Sequence, residues 1–167
     1  PTSALPLLAA LTPAAHDIRL IDEAVEPLYE AALRDADIVG LTSMSVQRER
    51  MRDIARWVKS LGKFLVVGGP WITVQEDYLD GLADVIFAGE ADATWPLFLR
   101  EWSAGCHRRR YEQTGRTDLT TLPLPRQDLL KLNRYLQGTI QMSRGCPFLC
   151  EFCDIIVTFG RKPRSKT

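Results

Sequence analysis

Three short apolar runs constrain the fold of this 167-residue chain more than anything else in it: Ile38-Val39-Gly40-Leu41, Phe64-Leu65-Val66-Val67 and Val85-Ile86-Phe87-Ala88. Each is apolar on both sides instead of alternating, which suits a strand of a parallel sheet covered on both faces. Between them lie segments with helical spacing. Ser45 to Leu61 carries Met51, Ile54, Ala55 and Val58 at i, i+3, i+4 and i+7, with Arg48, Arg50, Arg52, Arg56 and Lys59 largely on the other side. Ser45 is placed to cap its start and Gly62 to take a left-handed residue at its end. Pro27 to Arg34, Gln75 to Leu79 and Pro96 to Ser103 read as further helices, and Ser3 to Leu11 as an opening helix ended by Pro13. Ile18-Arg19-Leu20-Ile21-Asp22 reads as one more strand ahead of the three. Strands alternating with helices predict an α/β fold, a doubly wound parallel sheet with right-handed crossovers, over residues 1–105.

In such sheets ligands sit beyond the carboxyl ends of the strands. The residues that follow the strands directly are Thr42, Ser43 and Ser45, then Gly68, Gly69 and Pro70, then Gly89 and Glu90. Glycines there let backbone approach a ligand, hydroxyls offer hydrogen bonds, and a helix starting at Ser45 points free N–H groups at the same crevice. Gly68-Gly69-Pro70 reads equally well as a plain turn and the serines as simple caps.

Residues 106–136 are polar and carry Pro123 and Pro125, the composition of a linker, with a short helix at Gln127 to Leu132. Its basic block, His107-Arg108-Arg109-Arg110, reads as solvated. Residues 137–167 form a third part. Thr139 to Ser143 alternates as a strand does and runs into Ser143-Arg144-Gly145-Cys146-Pro147-Phe148-Leu149-Cys150-Glu151-Phe152-Cys153-Asp154, a C-x3-C-x2-C spacing that holds three of the four cysteines. With no secretory signal in view, thiols this crowded are metal ligands more often than disulfide partners. A closed zinc site takes four protein ligands and an ordinary iron–sulfur cubane four thiolates, so the triplet either recruits a distant fourth ligand or leaves one metal position open. Cys106 and His107 are the distant candidates for a zinc site, though they lack paired-knuckle spacing.

The spacing, with an aromatic just before its third cysteine and Ser-Arg-Gly-Cys-Pro around its first, resembles the signature of the radical S-adenosylmethionine enzymes. The resemblance implies that Cys146, Cys150 and Cys153 bind three irons of a [4Fe–4S] cluster, that S-adenosylmethionine chelates the fourth, and that Phe152 lies against its adenine. It also implies reductive cleavage to a 5′-deoxyadenosyl radical, with no catalytic residue assigned beyond the cluster ligands, and an electron donor such as flavodoxin or ferredoxin. Ile38 to Ser43, Val66 to Pro70 and Phe87 to Glu90 are similar to the cobalamin-binding domain that precedes the catalytic domain in a large class of these enzymes, which implies cobalamin contacts at Thr42, Ser43, Ser45, Gly68, Gly69, Pro70, Gly89 and Glu90. The chain departs from methionine synthase and the mutases in lacking Asp-x-His-x-x-Gly, so no histidine ligand to cobalt is expected; His16 and His107 are its two histidines.

Cys153-Asp154-Ile155-Ile156 with Phe159 to Arg164 looks most like a subgroup that includes the hopanoid methylases, which implies methylation or a similar modification of an unactivated carbon in a small-molecule or lipid substrate. A tetrapyrrole cyclase and a methylthiotransferase are neighbouring readings, the latter disfavoured because no cysteine precedes Cys106. A cobalamin- or metal-binding regulatory module is the reading from outside the enzymes. The opening helix without a strand before it, and one strand with its cysteine loop where a barrel is expected, read as a fragment that does not turn over alone. Net charge is +0, which gives no general pull toward nucleic acid. No apolar run reaches the roughly eighteen residues of a membrane span, and Pro1 to Leu11 has no basic flank of a signal peptide, so a cytoplasmic protein is expected.

Overall fold

The computed structural model describes residues 3–166. It opens with helix α1 (Ala4–Leu11), followed by α2 (Glu30–Asp35) and strand β1 (Ile38–Thr42). Helix α3 (Arg48–Ser60) leads to β2 (Phe64–Gly68), α4 (Pro70–Val74) to β3 (Val85–Ala88), and α5 (Thr94–Ser103) to β4 (Arg110–Glu112). Farther on come β5 (Ser143–Arg144), α6 (Ile155–Phe159) and β6 (Arg164–Ser165). The first four strands make one wholly parallel sheet in the order β1-β2-β3-β4.

The doubly apolar runs are buried as their composition requires. Leu65 and Val67 of β2 pack with Met51, Ile54 and Val58 of α3 and Ile72 of α4, whereas Val66, between them, packs with Val85, Phe87 and the α5 residues Phe98 and Leu99. The sheet therefore carries a helical layer on each face. Strand order follows chain order, so no point of reversal lies among the described strands. What marks a ligand site is their shared carboxyl end.

Four expectations change. Ile18–Asp22 is not a strand: it makes no ladder, because β1 pairs only with β2 and no described strand offers a partner on its outer side. Ser45 does not cap α3. Ser45–Gln47 forms a 3-10 turn, and its entrance is closed by the Gln47 side chain accepting from the Met44 N–H at 3.1 Å. The stretch read as linker contributes β4, with Tyr111 only 2% exposed and stacked on Phe87 at 5.2 Å between centroids, while Arg108, Arg109 and Arg110 of the basic block are exposed as expected. Arg110 and Glu112 on either side masked this single inward residue in the sequence. Finally, the strand expected over Thr139–Ser143 shrinks to Ser143–Arg144 and pairs antiparallel with Arg164–Ser165. A lone barrel strand has no parallel neighbour here, and its ladder groups are met by the chain's own return.

The segment read as linker also lies back on the sheet domain. The Arg126 N–H donates to the Pro6 carbonyl at 2.9 Å, Tyr135 Oη donates to Asp22 at 2.8 Å, and Lys131 pairs with Glu26. Among the described residues no helix is long and apolar enough to cross a membrane.

Because Tyr111 is a core residue and its neighbour Arg109 is exposed, Tyr111→Ala is expected to cost about 3 kcal/mol or more in urea unfolding, the scale of an aromatic truncated in a core. Arg109→Ala should stay within about 0.5 kcal/mol. Equal effects would return this segment to the solvent.

Candidate functional site

The three strand-end segments named from the sequence do come together. Parallel register sets Thr42 beside Gly68 and Val67 beside Ile86. The loops then bind one another: Trp71 N–H donates to the Ser43 carbonyl at 3.2 Å, and Gly89 N–H donates to Thr73 Oγ1 at 3.0 Å. Ser43 is buried with its hydroxyl on Met51 Sδ at 2.9 Å, Ser45 is exposed, and Pro70 opens α4 at its first turn. The two central glycines are demanded by this packing. Gly69 has φ 92° and ψ −176°, a conformation open essentially to glycine alone, and a Cβ there would overlap Thr42 Oγ1. A Cβ at Gly68 would press on Phe87 at 3.1 Å. Gly89 differs: its φ is 72°, yet nothing stands within 4 Å of where its Cβ would be. It is the one of the three where the backbone itself meets open space.

Glu90, grouped with these loops in the sequence, is turned inward. Its carboxylate is 1% exposed and accepts from Arg164 Nη1 at 3.0 Å, from Arg164 Nη2, and from the Thr117 N–H at 2.9 Å. Asp92, two residues on, accepts from Arg144 Nη1 at 2.5 Å and Nη2 at 3.1 Å and from Thr117 Oγ1 at 2.7 Å. Arg144 Nη1 also stands 3.6 Å from Glu90. Burial pushes the Glu90 carboxyl up, but hydrogen bonds from Arg164 and Thr117 outweigh it and hold the group below the ordinary carboxylate range. Asp92, Arg144, Arg164 and Thr117 were not picked out by sequence reasoning. Arg144 stands inside the cysteine motif and Arg164 at the end of the stretch Phe159 to Arg164, but nothing local tells a buried arginine from a solvated one.

These arginines flank the cysteine loop. Gly145 has φ 89°, and a Cβ on it would lie 2.5 Å from the Lys162 carbonyl oxygen; next to it, Cys146 N–H donates to the Gly160 carbonyl at 3.1 Å. Cys153 N–H turns back to the Cys150 carbonyl at 3.1 Å, and α6 follows, lying against α4. The cysteine loop thus sits at the same end of the sheet as the strand-end loops. All four cysteines are free thiols; Cys150 and Cys106 are exposed, Cys146 and Cys153 half-buried. Among the described residues no three His, Cys, Asp or Glu side chains converge on one point. His107 does not join the triplet: it packs edge-on against Phe64, the first residue of β2, at the opposite end of the strand from the cysteine loop. Phe152 is 91% exposed. Met44, Val46, Val74, Phe148, Leu149 and Val157 are exposed as well, and so are Leu124, Leu132, Leu136, Ile140 and Met142 of the stretch that precedes the cysteines. Two clefts of about 340 and 310 Å³ are lined by neither residues 42–45, 68–71 nor 89–90.

The model of the B12 binding domain family matches residues 1–99. An uncharacterized methyltransferase of Synechocystis sp. is 39% identical over 167 residues, covering 99% of this chain and 31% of the relative. The hopanoid C-2 methylase of Rhodopseudomonas palustris is 34% identical over 100% of this chain and 32% of its own length. Bacteriochlorophyllide d C-8(2)-methyltransferase of Chlorobaculum tepidum is 33% identical over 90% of this chain and 35% of its own. The chain spans about a third of the length of these curated relatives.

Cobalamin fits the strand-end surface on two observations: the free space over Gly89, and the Trp71 indole N–H, buried with no acceptor within the protein. The cysteine loop fits an iron–sulfur cluster in donor chemistry, with three free thiols on one short segment.

Two outcomes follow from this geometry. Gly69→Ala should destabilise by about 3 kcal/mol or more, since it adds a steric clash to a glycine-only backbone, whereas Gly89→Ala, left-handed but unobstructed, should cost about 1–2 kcal/mol; denaturant midpoints measure both. Because folding lowers the Glu90 pKa, its contribution is fully present above the ordinary glutamate value of about 4.3 and is lost as pH falls through the lowered one. Thermal stability should therefore fall on acidification, and Glu90→Gln should flatten part of that slope; an unchanged slope would place the acid sensitivity in other carboxylates.

Proposed function

We propose, for a chain that belongs to the B12 binding domain family, that it is the cofactor-handling part of a cobalamin-dependent radical S-adenosylmethionine methyltransferase. The observation that carries this reading is the order of parts: a B12 binding domain match over residues 1–99, then a free C-x3-C-x2-C triplet set at the carboxyl end of the same sheet. The names of the relatives support methyl transfer over methylthio transfer or ring closure, and those that name a substrate divide between hopanoid and bacteriochlorophyllide. Both point to an unactivated carbon on a large, largely apolar molecule as the acceptor.

In this reading Cys146, Cys150 and Cys153 hold a [4Fe–4S] cluster and leave one iron free for S-adenosylmethionine, with Phe152 beside the adenine. Thr42, Ser43, Ser45, Gly68, Gly69, Pro70, Gly89 and Glu90 shape the cobalamin side, most of them indirectly. Gly68, Gly69 and Ser43 fix the loops on one another, Glu90 holds the cysteine segment, and Gly89 offers open backbone. When bound, the two cofactors supply a carbon-centred radical and a methyl group; the chain's residues hold them at one end of one sheet and keep the thiols unpaired. An electron donor such as flavodoxin or ferredoxin and a cytoplasmic setting belong to the same proposal, as does the division into a cofactor domain over 1–105, a connecting stretch over 106–136 and the start of the radical domain over 137–167.

Anaerobic reconstitution tests the cluster half. It should give about four irons and four sulfides per chain, lost in Cys146→Ala, Cys150→Ala or Cys153→Ala and kept in Cys106→Ala. Stoichiometric zinc in a tetrahedral sulfur site would overturn it. For the cobalamin half, bound Co(II) cobalamin should show no hyperfine coupling from a protein imidazole, and His16→Ala should leave its spectrum unchanged; a protein-imidazole signal would remove that assignment.

A further inference from the structure

Arg144 and Arg164 are register partners in the antiparallel ribbon of β5 and β6. Directly opposed residues in such a pair project to one face, and like charges so placed repel. This ribbon closes the cysteine loop: Cys146, Cys150 and Cys153 all lie between its strands in the chain. Nothing within the ribbon offsets the repulsion. The compensating charges come from the sheet domain, Asp92 on Arg144 and Glu90 on Arg164, and all four side chains are at least 85% buried, with Thr117 bonding to both carboxylates and accepting at its carbonyl from Arg164 at 2.7 Å. Two further hydrogen bonds carry the arrangement into the loop: Arg164 Nη2 donates to the Phe159 carbonyl at 3.2 Å, and Arg116 Nη1 to the Thr158 carbonyl at 2.7 Å.

We propose that Glu90 and Asp92 are positioning residues for the cysteine loop: by neutralising Arg144 and Arg164 they allow the ribbon to close and fix the loop against the sheet's carboxyl end. Glu90 thereby acts at a distance from any cobalamin, through the segment that carries the thiols. The purpose of the clamp rests on the cluster reading above; its geometry does not.

The test uses the iron-free chain and a pulse of a thiol-alkylating reagent read by mass spectrometry. Cys106 and Cys150, already exposed, serve as internal standards for the half-buried Cys146 and Cys153. In Glu90→Gln/Asp92→Asn, labelling of Cys146 and Cys153 should rise at least about tenfold relative to Cys106, with far-ultraviolet circular dichroism unchanged, as for a local opening. Adding Arg144→Gln and Arg164→Gln removes the opposed charges, so the fourfold variant should regain protection, a rescue that a merely space-filling role for the carboxylates does not give. Wild-type labelling in a folded double variant overturns the proposal, as does a fourfold variant labelled as fast as the double. If the double variant unfolds altogether, the fourfold variant decides alone: protected Cys146 supports the clamp, and labelling at the rate of the urea-unfolded chain refutes it. Failure to bind iron with the thiols protected as expected would remove the cluster reading and leave the clamp standing.

Discussion

Four charges buried together, Glu90 and Asp92 against Arg144 and Arg164, join the two halves of this chain. Taking such groups out of water is costly, and a buried ion pair is poor evidence of stability in itself. Its value here is in direction. Removing one partner from such a set leaves an uncompensated charge, at about 3–5 kcal/mol, so the cysteine segment has one low-energy seat and few ways to slide. The neighbouring helices α6 and α4 add proximity without that direction, since no buried apolar cluster includes an α6 residue among the described residues.

A second constraint operates in the backbone. Strand ends that meet a ligand must be held rigid without side chains in the way, and this chain does it by packing loops on each other. The Gly69 backbone occupies the space beside Thr42, α4 starts at once with Pro70, and Thr73 from that helix reaches across to the Gly89 N–H. Each loop is thus fixed by the next one along the sheet. The loops support one another from below, and of the three strand-end glycines Gly89 is the one with free space beside it.

The parallel sheet was legible because its central strands are apolar on both faces, a pattern that few other environments accept, and the α3 register of Met51, Ile54, Ala55 and Val58 was legible for the same reason. What composition could not show was pairing. Ile18–Asp22 has the residues of a strand and no ladder partner, while Arg110-Tyr111-Glu112 has the residues of a loop and joins the sheet through one buried ring. At the site, the three loops could be named from their positions after strands, but the roles within them could not. Gly68 and Gly69 serve packing, Gly89 serves access, and Glu90 faces an arginine 74 residues away. The cysteine triplet was plain from its spacing, whereas the charges that seat it are spread over three segments and carry no local mark.

The two margins of the sheet are chemically unequal. β4 is three residues long, begins and ends on the charged Arg110 and Glu112, and carries the ion pair of Arg110 with Glu76, features that discourage another strand from pairing there. β1 presents Ile38-Val39-Gly40-Leu41-Thr42, without a charge, and among the described residues pairs with a strand on one side alone. The two edges are thus polarised: a strand laid beside β1 meets no charge on the edge it joins, whereas one laid beside β4 meets Arg110 and Glu112. The carboxyl-end turn of a strand beside β1, if parallel, would then stand next to Thr42, and the ligand surface would widen in the direction away from the cysteine loop's arginine clamp.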